Sequence, residues 1–228
     1  KDHRSFLESR EVVIGDECHH IAGTGTEWYD NFAACPAPYR FGLSATPQLD
    51  GPGIRLLAMT GNVVYHISTQ ELIQRGVAVA PRIWIVHVND KVSAKSWADA
   101  YRLGVVEGET RNNAIVDCAK QFASEKKTTL ILVSRINHAT YLEERLSFAG
   151  ILTEVIRGSV SNEDRDRILQ RMWDGKTKAV VAICSTMGEG VNLPRLKAII
   201  NATGMRGGGD KSDGDTGRDT IQILGRGL

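Results

Sequence analysis

Thr129-Leu130-Ile131-Leu132-Val133, followed at once by Ser134-Arg135, is the stretch whose reading decides the fold class. A short aliphatic run with no polar face reads as a strand covered on both sides. Upstream, Arg111 to Ser124 has a helical pattern. Downstream, His138 to Ala149 carries Leu142 and Leu146 on one face and stops at Gly150, and Leu152 to Ile156 is the next strand. Ser161 opens a further helix with Asp164 three residues on, a variant capping box. Its apolar stripe is Ile168, Leu169, Met172 and Trp173, and Gly175 ends it. Ala179 to Cys184 and Ala198 to Asn201 complete a set of parallel-type strands. Alternation of short apolar runs with helices predicts parallel α/β architecture.

The first half gives the same signals less evenly. Val12 to Ile14 and Arg40 to Leu43 read as buried strands, and Ser68 to Gly76 as a short capped helix with a glycine stop. Pro81 to Val88 alternates like a strand, and Asn89 to Thr110 is a mixed polar connector. The glycine- and charge-rich stretch from Gly204 to Arg218 has nothing to bury and is expected on the surface.

Bulk composition narrows the class without naming a partner. Of 228 residues, 42% are hydrophobic and 24% charged, which suffices for a core. The 28 basic and 27 acidic residues leave a net charge of +1, which argues against polybasic binding but permits a local basic groove. Cys18, Cys35, Cys118 and Cys184 are scattered, as reduced thiols are, so no disulfide-linked partner is expected. No apolar run approaches membrane-spanning length, and Lys1-Asp2-His3-Arg4 does not open a signal peptide. A soluble cytoplasmic protein with no membrane partner is the expectation.

In open parallel sheets, ligands bind beyond the carboxyl ends of the strands. Polar clusters fall at such ends throughout: Asp16-Glu17, Ser44 to Thr46, Ser134-Arg135, Arg157-Gly158 and Ser185-Thr186. Phosphoryl transfer to water needs a metal holder, a group that orients the water, and cations to meet developing charge. Asp16 suits Mg²⁺ and Glu17 suits the water, provided the strand ends there, because neighbours along a strand point opposite ways. A lone Asp-Glu pair is more often a solvated turn. Zinc on Cys18, His19 and His20 is a weaker rival, since adjacent residues rarely supply tetrahedral ligation.

Taken in order, these segments resemble superfamily-two helicases. Asp16-Glu17-Cys18-His19 resembles the DExH motif II, and Ser44-Ala45-Thr46 resembles motif III. Ile131 to His138 is similar to motif IV, and Ser185-Thr186-Met187-Gly188-Glu189-Gly190-Val191-Asn192-Leu193-Pro194 to motif V. Gln222-Ile223-Leu224-Gly225-Arg226 opens a motif VI of the form Gln-x-x-Gly-Arg-x-x-Arg. The DExH form with this motif VI is closest to phage and repair-type DNA helicases, which implies host cytoplasm if the protein is phage-encoded.

The resemblance implies two RecA-like parallel-sheet lobes, the first incomplete. Residues 1–88 would be the C-terminal part of the first lobe, 89–110 the connector, and 111–228 the second lobe, cut at motif VI. It implies an ATP-dependent DNA helicase or translocase using ATP and Mg²⁺ between the lobes. Asp16 and Glu17 would act on Mg²⁺ and water, and His19 would couple to Gln222 in motif VI. Ser44 and Thr46 would link nucleotide state to lobe movement. Gly190 and Asn192 would approach ribose and phosphates, and Arg226 the γ-phosphate. Arg135, Arg157, Gly158, Ser185 and Thr186 would line a track that contacts DNA, or alternatively RNA, through phosphates.

Departures from the pattern limit what carries over. Asn192 stands where the family commonly has aspartate, and the second motif VI arginine would follow Leu228. No phosphate-cradling G-x-x-x-x-G-K-[ST] occurs; Gly175-Lys176-Thr177 follows a helix and precedes a strand, with Gln170 at the required first glycine. These residues alone are therefore expected to bind nucleic acid weakly and to hydrolyse little ATP. The alternatives are a non-catalytic nucleic-acid-binding module with a helicase fold, or the motor part of a restriction or remodelling enzyme.

Overall fold

The computed structural model describes residues 3–22, 27–45, 53–89, 91–187 and 196–204. Among them the chain forms two compact units, 1–78 and 79–228.

The first unit runs α1 (His3–Glu8), β1 (Val12–Gly15), a 3₁₀ turn (Cys18–Ala22), α2 (Glu27–Ala34), β2 (Tyr39–Gly42), α3 (Ile54–Thr60) and α4 (Thr69–Gln74). β1 and β2 pair in parallel, from Val12 opposite Tyr39 to Gly15 opposite Gly42. A small core of Cys18, Ile21, Phe32 and Leu56 forms against them. Arg40 ties this unit together: its guanidinium donates to the carbonyls of Phe32, Cys35 and Met59. A cation there satisfies carbonyls left open at the end of α2. Ser68 caps α4, accepting from the Glu71 amide, and Gly76 at φ +71° follows its end as expected.

The expectation that both strands are buried fails. Val12 and Ile14 are 50% and 60% exposed, and Tyr39, Phe41 and Leu43 are exposed too. A strand's composition suits burial on both faces, but burial needs a layer on each side. Here β1 meets the small core along one side alone, through Val13 and Gly15.

The second unit opens differently from its sequence reading. Pro81 to Val88 joins no sheet among the described residues, and Ile83, Trp84, Ile85 and Val86 are exposed. Alternation sets which side chains share a face, whereas a strand also requires a partner for its backbone. Within 89–110 the chain is partly helical: α5 (Trp97–Tyr101), capped by Ser96, continues into a π turn (Arg102–Val106).

From there the sequence reading holds. α6 (Glu109–Ser124), β3 (Thr129–Val133), α7 (Ile136–Phe148), β4 (Thr153–Ile156), α8 (Asn162–Trp173), β5 (Ala179–Ile183), a 3₁₀ turn (Cys184–Met187) and β6 (Ala198–Asn201) follow in order. The sheet is parallel with strand order β4-β5-β3-β6. Ile131, Val133 and Val181 pack on one face with Ile115, Val116, Leu142 and Leu146 of α6 and α7. Leu130, Leu132, Val180 and Ala182 pack on the other with Leu169 and Met172 of α8. Period-two alternation thus feeds two cores. The chain steps two places from β3 to β4 and back one to β5, so right-handed crossovers put α7 and α8 on opposite faces. Ser161 accepts from the Asp164 amide at 3.1 Å while its hydroxyl donates to the Asp164 carboxylate, closing the expected cap.

Candidate nucleotide and nucleic-acid sites

In the first unit the strand does end where two neighbouring carboxylates require it to. β1 stops at Gly15, Asp16 and Glu17 form a turn, and Glu17 takes φ +46°, a left-handed conformation uncommon without glycine. Asp16 Oδ1 accepts from the Glu17 amide at 2.9 Å. Beyond the strands, Leu43 donates to Gly15 O at 2.8 Å and accepts from the Cys18 amide at 2.9 Å. These two bonds stitch the segment carrying Ser44 onto the acidic turn. His19, almost fully buried, consequently has Nδ1 3.2 Å from Ser44 Oγ. The same nitrogen lies 3.4 Å from Glu17 Oε2, a charge-pair distance when the imidazole is protonated.

Close backbone approach makes this arrangement possible. A Cβ on Gly42 would sit 2.8 Å from Cys18 Sγ. Cys18 is part of the core, and burial first, then the neighbouring Glu17 and Asp16 charges, pushes its thiol pKa up. It is a packing residue in the turn. His20, the other zinc rival, lies between the rings of His19 and Trp28, with centroids at 4.3 and 6.2 Å.

The donor set suits a hard divalent cation. Asp16 is exposed with one carboxylate oxygen engaged, and Glu17 Oε2 is buried without a hydrogen bond. Mg²⁺ keeps most of its waters and needs only one or two carboxylates, so a carboxylate oxygen that accepts no hydrogen bond, beside an exposed aspartate, fits a hydrated ion or a reacting water. Thr46, the other motif III hydroxyl selected from sequence, lies outside the described residues, as do Gly190, Asn192, Gln222 and Arg226.

In the second unit, the selected residues collect along one edge. Ser134-Arg135, Arg157-Gly158 and Ser185-Thr186 follow β3, β4 and β5, whose carboxyl ends lie side by side. Gly158 and Thr186 are neighbours: a Cβ on Gly158 would meet Thr186 Cγ2 at 3.8 Å. Thr186 Oγ1 donates to Ile183 O at 2.7 Å, which holds the 3₁₀ turn on β5 and leaves Ser185 exposed. Arg157 lies 3.6 Å from Glu143 of α7, and Arg135 is exposed, its guanidinium 5.8 Å from the Tyr101 ring centre. Gly175-Lys176-Thr177 lies between α8 and β5, with Gly175 at φ +71° and Thr177 buried. That is the reverse of the strand-to-helix order of a phosphate-binding loop.

Sequence reasoning missed a polar network behind this edge. Tyr101 OH donates to Thr203 O at 2.6 Å, and Ser134 Oγ points at the same carbonyl at 3.4 Å. Asn112 Nδ2 donates to Val106 O, and Asn112 Oδ1 lies 2.9 Å from His138 Nε2; both residues are fully buried. An oxygen there makes Nε2 the protonated nitrogen of a neutral imidazole. Burial, then the Arg111 charge, lowers the His138 pKa to about 4. An Asn in the first turn of α6 and a His in the first turn of α7 were the only signals, and nothing in sequence pairs them.

Residues 108–228 match the family described as the helicase conserved C-terminal domain, and residues 1–49 match the res subunit of type III restriction enzymes. A Saccharomyces cerevisiae protein, IRC3, whose name describes an ATP-dependent helicase, is 26% identical over 87% of this chain and 30% of its own length. The DNA 3'-5' translocase XPB2 of Sulfurisphaera tokodaii is 24% identical over 94% of this chain and 55% of its own. The chain therefore spans about a third to a half of these relatives. Among solved structures, Mycobacterium smegmatis helicase Lhr bound to ssDNA and AMP-PNP shares the fold with a TM-score of 0.50 and 24% identity, over 87% of this chain and 25% of that one.

Proposed function

The chain belongs to the helicase family, through its helicase conserved C-terminal domain, and from that premise we propose that it works within an ATP-dependent DNA helicase or translocase. The observation that carries the reading is the junction of two sequence motifs: His19 Nδ1 stands 3.2 Å from Ser44 Oγ, beside the Glu17 carboxylate. In this reading Asp16 holds hydrated Mg²⁺ and Glu17 orients and deprotonates the attacking water. Mg²⁺ supplies charge neutralisation on the ATP phosphates. A step in Ser44 reaches the carboxylates through His19, so movement of that segment and water activation are linked. Gly190, Asn192, Gln222 and Arg226 keep the ribose, phosphate and coupling roles that the family pattern implies for them. In this reading residues 1–88 belong to the first lobe, 89–110 to the connector and 111–228 to the second, a functional division that differs from the compact units, which part at residue 78.

Arg135, Arg157, Gly158, Ser185 and Thr186 form the nucleic-acid side. Their common position at the carboxyl edge of one sheet supports phosphate contacts that read no sequence. The polypeptide of residues 1–228 on its own binds nucleic acid and turns over little ATP, because none of its segments has the G-x-x-x-x-G-K-[ST] pattern. The restriction-enzyme match over residues 1–49 favours one second reading, the motor part of a restriction enzyme. Nuclease activity of the full-length gene product would select it.

The test is Glu17→Gln in the full-length gene product. Loss of a general base costs about 10²–10⁴-fold in rate. The expected result is DNA-stimulated ATP hydrolysis reduced by that factor with DNA binding retained. Unchanged hydrolysis would overturn the role of Glu17, and absence of any ATP hydrolysis in the unmodified product would overturn the function.

A further inference from the structure

Arg111, in the first turn of α6, is not among the residues that the sequence motifs select. Its position is unusual for an arginine. The residue is half-buried, its Nε is buried without a hydrogen-bond partner, and no carboxylate pairs with it among the described residues. A desolvated guanidinium normally has a carboxylate or carbonyl partner, since burying a charge without one is costly. Burial lowers the Arg111 pKa, and the nearby Tyr101 partly offsets this. Tyr101 is the same side chain that lies 5.8 Å from Arg135 and is bonded to Thr203 O, beyond the end of β6. The next residue, Asn112, is locked between Val106 O and His138, so the turn carrying Arg111 is fixed rather than free to swing into water. Gly204, at φ +64°, closes against Val105: a Cβ there would meet Val105 Cγ2 at 2.6 Å. The Asn112–His138 contact sets the first turn of α6 beside the first turn of α7, at the carboxyl end of β3 where Arg135 also lies.

We propose that Arg111 is a further phosphate-gripping residue at this edge, contacting the nucleic-acid backbone that Arg135 also meets. The inference rests on the nucleic-acid reading above. A planar guanidinium presents its donors to phosphate oxygens as a fork, which a lysine cannot do. A backbone phosphodiester, with its single negative charge, supplies the partner that Arg111 lacks among the described residues. Because such contacts recognise backbone and not bases, affinity is independent of sequence.

The experiment measures binding of fluorescent single-stranded DNA to the chain across a salt series, comparing the unmodified protein with R111Q, R111K and R135Q. Thermal melts of each variant report folding. A charge-assisted contact of this kind predicts roughly a tenfold or greater loss of affinity for R111Q and a salt slope lower by about 1. R111K, which keeps charge without the fork, should recover the slope and only part of the affinity. Equal affinity and slope for folded R111Q and unmodified protein would overturn the proposal while R135Q still tests the wider reading. If R111Q does not melt cooperatively, R111K decides: affinity equal to the unmodified protein overturns the proposal, and reduced affinity supports it. Salt-independent or absent binding by the unmodified protein would overturn both.

Discussion

The two parallel sheets of this chain present the same local grammar in opposite surroundings. In each, an apolar run ends in a polar cluster, and in each that cluster is the candidate site. β3 and β5 are buried along their whole length between α6 and α7 on one face and α8 on the other. β1 and β2 are exposed at half of their positions and lean on a single small core. The difference teaches that a strand-end site can be positioned by two means. In the second unit the sandwich fixes the strands, and the edge residues inherit that rigidity. In the first, glycine-permitted contacts and the hydrogen bonds of Leu43 hold the acidic turn directly.

This contrast can be broken most forcefully in the core. Leu142 is fully buried, so Leu142→Ala should cost the second unit about 2–5 kcal/mol by denaturant unfolding. Ile14→Ala in the first unit, at a site 60% exposed, should stay within about 0.5 kcal/mol. Comparable losses at both sites would mean that β1 is covered in solution.

Acid should reach the second unit through His138. Its pKa falls from 6.5 to about 4 on folding, because burial and the Arg111 charge disfavour the imidazolium. The unfolded chain therefore binds the proton more tightly. The stability involved is complete above about pH 6.5, drains as pH falls towards 4, and amounts to about 3 kcal/mol from the shift. Unfolding free energies measured across that window should decline, and His138→Gln should flatten the decline. An equally steep decline in His138→Gln would remove the imidazole from the account.

Glycine at position 42 sharpens the other side of the comparison. Gly42→Ala drives a methyl into Cys18 Sγ and should destabilise the first unit by about 1–3 kcal/mol, with loss of hydrogen-exchange protection at the Cys18 and Leu43 amides. Protection unchanged at both amides would show that the turn is not held by this contact. The smallest effect belongs to the cap of α8: Ser161→Ala should cost about 1 kcal/mol in the melting of the second unit, and no loss would assign the cap to water.

Much of this was legible from residues alone, for reasons that differ by region. β3 to β6, the helices between them and the cap at Ser161 follow from local pattern, because here each element meets the neighbours its pattern demands. The same pattern misled at Val12, Ile14 and Phe41, whose composition is that of buried strands, and at Pro81 to Val88, whose alternation finds no partner strand. Local sequence records what a segment is able to bury and not whether something covers it. The Asp16-Glu17 turn and the Ser44 segment were each readable as motifs; the meeting of His19 and Ser44 needed the structure. Tyr101 with Thr203 and Asn112 with His138 were out of reach, since a hydrogen bond between residues far apart in the chain leaves no periodicity behind.

The central claim is that the carboxyl edge of the second sheet is one phosphate-contacting surface. Titration of single-stranded DNA with the chain at increasing salt, for the unmodified protein and the Arg135→Gln, Arg157→Gln double variant, tests it most directly. The account predicts a negative slope of log affinity against log salt that falls by about 2 in the double variant. An identical slope and affinity in the two proteins would contradict it.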